Sequence, residues 1–353
     1  MKLFSKAGIK QKFFLIFIPM FTTITIAVAL GYYNISIDNI KETETKHLQS
    51  KTEEFYDLVK SSQDNLLLLV SFIANMDEIN SAYLNPDNEA GYNSLKATVL
   101  PIINSLGFDK KKFQLHFHRP PAISYYRVFS DKRNDDLSKF RHTILKTYET
   151  KRPVLGLEHG AFNFGIRAIS PIFDKDKNYI GSVEFIRDLP EIIASMNSEK
   201  SDKIEMLTIV NFDYISKFVS SEYMEKNYPT SFGNFRSSKP VSNELNLEEM
   251  INESEIKSLV SSNTKLFDLR DNHVIGLVPI VDFQGEIPGV FFFSIDVSNK
   301  INETIRNILL IVTFIIIFAI IILWLMSIMM DKILVKPINN VVLLANRVAE
   351  GDF

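Results

Sequence analysis

Two stretches of the sequence, 13–33 and 308–330, contain no charged residue. Each supplies the roughly 20 apolar residues that a helix needs to cross a hydrocarbon core about 30 Å thick. Tyr32 and Tyr33 close the first stretch with rings suited to a membrane interface, and Pro19 predicts at most a kink. Beyond it, Ile40, Leu48, Phe55, Leu58, Val59, Leu66, Leu67, Val70 and Ile73 recur mostly at helical intervals among Lys, Glu, Gln and Asp. No Gly or Pro interrupts the chain between residue 34 and Pro86, so one long helix is expected over 34–81. Its narrow apolar stripe predicts a partner helix from a second copy of the chain, and packing along its own domain at other heights.

From residue 112 the period shortens to two. Phe113, Leu115 and Phe117 alternate with Gln114, His116 and His118, and the run stops at Arg119-Pro120-Pro121. A second strand is expected over 124–129. Asp135 or Asp136 is placed to cap a helix over 137–151, with Leu137, Phe140, Ile144, Leu145 and Tyr148 as its apolar face and Pro153 beyond its end. Strands resume at 154–158, 164–173 and 179–188. Residues 165–188 align without gaps on 273–296, with Pro171/Pro279, Ile172/Ile280, Asp174/Asp282, Gly181/Gly289, Phe185/Phe293 and Asp188/Asp296 identical. Each copy reads as strand, polar turn, strand at the end of its own module. The fold expected is α+β: two tandem antiparallel-sheet modules on one long N-terminal helix, flanked by two transmembrane helices.

Charge orients this arrangement. Residues 1–12 carry Lys2, Lys6, Lys10 and Lys12 and no acid, which places a cytoplasmic N-terminus at 1–12. Two spans return the C-terminus to the same side and leave 34–307 outside. Removing +4 for 1–33 and zero for 308–353 from the net −3 leaves −7 on that exterior segment, which excludes a nucleic-acid binder. Ala27-Val28-Ala29 has the form of a signal-peptidase site, but the uncharged run 13–33 that contains it is longer than a signal peptide's core, so the helix is expected to be retained. The sequence has no cysteine, which excludes disulfides, thiol chemistry and Cys-based metal sites.

The chemistry-bearing residues gather in the first module. His116 and His118, two apart on one strand, project to the same face. Glu158 is the candidate third ligand for a metal there, but no triad spacing such as HExxH supports one, and the expectation is that they line a site, with no metal and no cofactor. Arg141 falls in the apolar stripe of its helix, Arg127 lies beside Tyr125 and Phe129, and Arg167 lies among Ile166, Ala168 and Ile169. Unpaired guanidinium groups are costly to bury. Either Glu158 and Glu184 take them up as internal salt bridges, or at least two of them clamp a ligand carboxylate. In the second copy Arg167 is replaced by Ile275 and Glu184 by Phe292, which points to the first module as the ligand module. The expected ligand site is His116, Tyr125, Arg127, Arg141, Glu158, Arg167 and Glu184, the excess of cationic groups favouring a small organic anion such as a carboxylate. No GxSxG, Walker or dinucleotide motif occurs, and no catalytic residue is expected.

The layout resembles bacterial double Cache (tandem PAS-like) sensor domains. The pieces that carry the likeness are LHFHRPP (115–121), YYRVF (125–129), DDLSKFRHT (135–143), KRPVLGLEHG (151–160), FGIRAISPIF (164–173) and GSVEF (181–185). The end is similar to the first helix and exit turn of a HAMP domain, through Pro337, Ile338, Val341, Ala345, Val348, Glu350 and Gly351. Ile338, Val341, Ala345 and Val348 follow the 3-4-3 spacing of a parallel bundle seam. The resemblance implies a membrane-distal module over 82–190, a linker over 191–203, a membrane-proximal module over 204–297 and the start of a HAMP domain over 331–353. It also implies a homodimer in the bacterial inner membrane, in contact with lipid. It would sense a small molecule outside and address cytoplasmic signalling partners, as a methyl-accepting chemotaxis protein or as a sensor kinase or cyclase with the same front end. A membrane-anchored adhesion or scaffold protein is the reading of a different class.

Overall fold

The computed structural model describes residues 8–83, 89–105, 107, 113–160, 164–197, 203–239 and 245–350. The chain divides into two compact units: Glu44–Asp296, and Met1–Thr43 with Val297–Phe353.

Helix α1 runs without a break over Ile9–Ala74, and α2 (Asp77–Tyr83) follows it. The long helix therefore stops at Ala74, short of residue 81. Asn75 turns its side chain back onto the Ser71 carbonyl, and the amides of Asn75 and Met76 tighten the last turn onto Phe72 and Ile73. Within Glu44–Asp296, Leu48, Thr52, Phe55, Val59, Ser62, Leu66, Val70 and Ile73 form one buried stripe. That stripe is spent on the chain's own sheets, with Phe55 edge-on to Phe291 and Phe293. Leu68 and Phe72, one turn apart on the other side of the helix, stay exposed.

The first sheet has the antiparallel order β2-β1-β5-β4-β3, from β1 (Phe113–Arg119), β2 (Ile123–Arg127), β3 (Val154–His159), β4 (Phe164–Phe173) and β5 (Tyr179–Asp188). The second has the order β7-β8-β6-β11-β10-β9, from β6 (Glu205–Asn211), β7 (Thr230–Phe232), β8 (Phe235–Ser237), β9 (Leu266–Arg270), β10 (His273–Ile280) and β11 (Gly289–Asp296). The repeated hairpins share one register: Gly165 faces Asp188 and Ile172 faces Gly181, as His273 faces Asp296 and Ile280 faces Gly289. Their turns share one mechanism. Asp174 Oδ1 accepts from the amides of Asp176 and Asn178, and Asp282 Oδ1 accepts from those of Gln284 and Glu286. The shared glycines answer a close approach. A Cβ on Gly181 would lie 2.4 Å from the His118 carbonyl oxygen, and one on Gly289 would lie 1.9 Å from that of Ile209.

Two expectations for the first module need correction. The helix expected over 137–151 is shorter, His142–Thr150 (α4), because residues 137–140 form a turn with Arg141 and Phe140 amides bonded to the Leu137 carbonyl. Leu137 and Phe140 still pack with Ile144 and Leu145, so the apolar face is right although its first turn is not helical. Arg141 is accordingly not in a helical stripe but is the residue before the helix.

In the other unit, α10 (Ser298–Met330) carries the second apolar stretch; its side chains, like those of 13–33, are largely exposed. Both helices are long and apolar enough to cross a membrane. Thr22, Thr23 and Thr25 return their hydroxyls to carbonyls one turn back, and Lys10 pairs with Asp331 at 2.8 Å. A π-helical turn, Asp331–Val335, leads into α11 (Lys336–Ala349), which carries Pro337 in its first turn and exposes Ile338 and Val341 on the face of Ala345. The Val348 side chain and Gly351 lie outside the described residues.

Candidate functional site

The sheet register decides which side chains share a face. In β1, Gln114, His116 and His118 point one way and Leu115 and Phe117 the other. Glu184 on β5 sits directly across from His116, Ser182 across from His118, and Arg167 on β4 lies across from Ile186 and from Gly156 on β3. The opposite face turns to the long helix, where Arg187 meets Ser62. The site face is closed by α4 and holds four buried charges. Arg141 Nε donates to Glu158 Oε2 at 2.9 Å and its terminal nitrogen to Glu184 Oε1, which also accepts from Arg167 Nη1 at 3.1 Å. Arg167 Nε donates to the Glu158 carbonyl. Glu158 also accepts from the amide and hydroxyl of Thr143, at 3.0 and 2.6 Å, so a side chain from the sheet caps the N-terminus of α4. Burial pushes the Glu184 carboxyl up, but Arg141 and Arg167 more than reverse this and hold it well below the usual carboxylate range.

Beside Glu184, His118 Nε2 and His116 Nδ1 approach to 3.0 Å, and each lies 3.6 Å from Glu184 Oε2. Their outer nitrogens meet Ser124 Oγ at 2.9 Å and Ser182 Oγ at 3.2 Å. Burial keeps both rings neutral, His116 with its pKa lowered to about 4 and His118 well below its usual value. These two histidines and Glu184 are the one cluster among the described residues arranged to hold a metal ion.

A cavity of about 580 Å³ opens over this face, within the range of small-molecule sites. His116, Arg127, Arg141 and Arg167 line it, as expected from the sequence. Glu158 and Glu184 lie behind the arginines and neutralise them. Tyr125 does not belong to the site. A bulge between Phe117 and His118 shifts the β1–β2 register past Tyr125 and turns it to the opposite side, where it packs on Tyr83 at 5.3 Å and Tyr92 at 6.5 Å. Sequence reasoning missed Lys132, Asp135, Asp188, Phe129, Phe140 and, from the second module, Phe218. The expected cationic excess is absent as well. Asp135 takes Arg127 in a bidentate pair at 2.8 and 2.9 Å, and four cations (Arg127, Lys132, Arg141, Arg167) face four carboxylates (Asp135, Glu158, Glu184, Asp188). A cavity of equal size over Asn75, Asn80 and the 174–177 turn is rimmed by exposed side chains and lacks a buried charge cluster.

The second sheet shows what this scaffold does without a site. The shared register matches Arg167 with Ile275, Ile169 with Leu277, Ser182 with Val290 and Glu184 with Phe292. It also matches His116 with Leu207 and His118 with Ile209, a correspondence that only strand pairing reveals. All six second-sheet residues are buried in one hydrocarbon core.

His159 closes the far end of β3. Its Nδ1–H donates to the Gly160 carbonyl at 2.6 Å and its Nε2 accepts from the Tyr228 hydroxyl at 3.2 Å. Burial, reinforced by Arg167, lowers its pKa to about 4. A histidine depressed on folding contributes stability that is complete above its unfolded pKa near 6.5 and is lost as pH falls toward 4, up to about 3 kcal/mol. In thermal melts of wild type and His159→Phe, the advantage of the wild type should shrink between pH 7 and 5. A constant difference would show that this imidazole does not titrate on unfolding.

Residues 41–301 match the family described as the double sensory domain of two-component sensor kinase. The chain belongs to that double Cache family, and its two sheets on one long helix are the fold expected of it. The sensor domain of the Vibrio cholerae histidine kinase DctB aligns over 73% of this chain and 98% of its own, with 10% identity and a TM-score of 0.43. The sensory domain of the Campylobacter jejuni chemoreceptor Tlp3 with isoleucine bound aligns over 78% and 97%, with 13% identity and a TM-score of 0.38. No curated protein sequence matches the chain.

Proposed function

We propose that this protein is a two-pass receptor of the bacterial inner membrane that binds a small molecule in the cavity of its first sheet and passes the event inward through 308–330. The single observation that carries the reading is the contrast between the two sheets. Positions that are hydrocarbon in one copy are charged and polar beside an open cavity in the other, and charge is expensive to bury without a purpose. The ligand is a small carboxylate. Because four cations already meet four carboxylates, the balance favours one that also carries an amino group, its carboxylate toward Arg127 and Lys132 and its ammonium toward Asp188. The Lys10–Asp331 pair supports termini on one side of the membrane, because it joins the start of the first span to the end of the second. A chemotaxis output through the HAMP-like helix is the leading assignment. The family's own description favours a kinase output as the second.

The receptor works as a homodimer. With the α1 stripe buried in its own sheets, the surfaces left for a second copy are Leu68 with Phe72, and the seam of Ile338, Val341 and Ala345. Cysteines at Ile338 or Val341 should cross-link between chains in membranes and Asn339 poorly; equal yields at all three would remove the seam. Thermal melts of the full chain in nanodiscs, against a panel of organic acids, amines and amino acids, test the sensory reading. A rise in Tm with carboxylate-bearing compounds supports it, whereas a flat response to the whole panel favours an adhesion or scaffold role.

A further inference from the structure

We propose that His116, His118 and Glu184 form a binding site for one divalent transition-metal ion of the zinc class. His116 Nδ1, His118 Nε2 and Glu184 Oε2 make a triangle with sides of 3.0, 3.6 and 3.6 Å. Four ligands in a tetrahedron around zinc, at about 2.0–2.1 Å, stand roughly 3.3–3.4 Å apart. The triangle therefore needs shifts of only a few tenths of an ångström to close on an ion. The sheet builds it: two residues of one strand at i and i+2, and the residue across from the first on the neighbouring strand.

Three further observations point the same way. Glu184 Oε2 is wholly buried and has no hydrogen-bond partner among the described residues, while Oε1 takes both arginines. Each imidazole has a serine hydroxyl at its outer nitrogen, Ser124 for His116 and Ser182 for His118, a contact able to accept the outer N–H when the inner nitrogen ligates an ion. His118 Nε2 and His116 Nδ1 stand in hydrogen-bond reach at 3.0 Å, so one of them holds a proton while the centre is empty, and an ion would displace it as both outer nitrogens become the donors. The second sheet also has no use for these groups, since Leu207, Ile209 and Phe292 fill the matching places. Glu158, named from sequence as the third ligand, is committed to Thr143 and Arg141 instead. A dication adds charge to a cluster in which Arg141, Arg167, Glu158 and Glu184 cancel. His116 lines the cavity, so an anionic fourth ligand entering from there would offset it.

The three protein ligands are in place without the sensory ligand, so the site is tested in its absence. The full chain in nanodiscs, stripped with chelator and dialysed, is titrated with Zn²⁺ by calorimetry and with Co²⁺ by visible absorption. The proposal expects one ion per chain and the intense d–d bands of tetrahedral cobalt. His116→Gln and His118→Gln should each weaken Zn²⁺ binding by tenfold or more and abolish those bands, with His159→Gln as the buried-histidine control. Should a glutamine variant fail to fold, Ser182→Ala keeps all three ligands and removes only a supporting contact, and about tenfold weaker binding is expected. Folded wild type that takes up no ion, or binding that the His116, His118 and Ser182 substitutions leave unchanged, overturns the proposal.

Discussion

Replacing Glu184 with Gln should lower folding stability by about 3–5 kcal/mol, because it leaves the buried Arg141 and Arg167 to share the one carboxylate of Glu158. Both guanidinium groups are about 4% exposed, and Glu158 already serves Thr143. Since the arginines hold the Glu184 carboxyl below its usual range, its contribution is complete above pH 4.5 and fades as the pH falls further. Chemical denaturation at pH 7 is therefore the condition that shows the whole effect. The double variant Arg167→Ile, Glu184→Phe installs the residues of the second sheet. It leaves Arg141 and Glu158 as a matched pair and should cost less than Glu184→Gln alone. A double variant less stable than the single one would mean that the cluster is held by something other than charge balance.

Inserting two glycines after Ser298 should abolish ligand-dependent output while leaving ligand affinity unchanged. Strand β11 ends at Asp296 and α10 begins at Ser298, with Val297 the one residue between them. Residues 299–307 are helical and continue into the second apolar stretch without a break. A ligand moves an equilibrium only through its different affinity for two arrangements, and those arrangements must reach the membrane helix through a stiff connection. Two flexible residues break the stiffness without touching the site. The readout is swimming bias or phosphotransfer in cells carrying the variant. Output that survives would send the signal through α1.

The architecture was legible because its signals are local. Uncharged runs, period-two alternation and a gapless repeat placed the two apolar helices, and placed the strands of the first sheet and the matched hairpins to within a few residues, while β6 to β9 gave no such signal. The site was only half legible, because its chemistry depends on pairing. Strand β1 lies between its sequence neighbour β2 and the distant β5, and the second pairing puts Glu184 opposite His116. Nothing near Glu184 in the sequence announces it. Asp135 was read as a helix cap and instead takes Arg127, so the cationic excess counted from the sequence vanished. Tyr125 obeyed alternation on paper and lost its place to a bulge. Phe218 enters from the other module, a contact with no sequence signal at all. His116 and His118 kept their shared face, since i and i+2 on a strand survive any choice of neighbour.

The central claim is that the charged cavity of the first sheet, and not its hydrocarbon copy or the neighbouring surface cavity, receives the ligand. Titration calorimetry of the full chain tests it most directly, using the compound that raises Tm most, on wild type, Arg127→Gln and Lys177→Ala. The account predicts affinity roughly tenfold or more weaker in Arg127→Gln, where a cavity cation is lost, and unchanged in Lys177→Ala, which lines the other cavity. Unchanged affinity in Arg127→Gln together with loss in Lys177→Ala would contradict it.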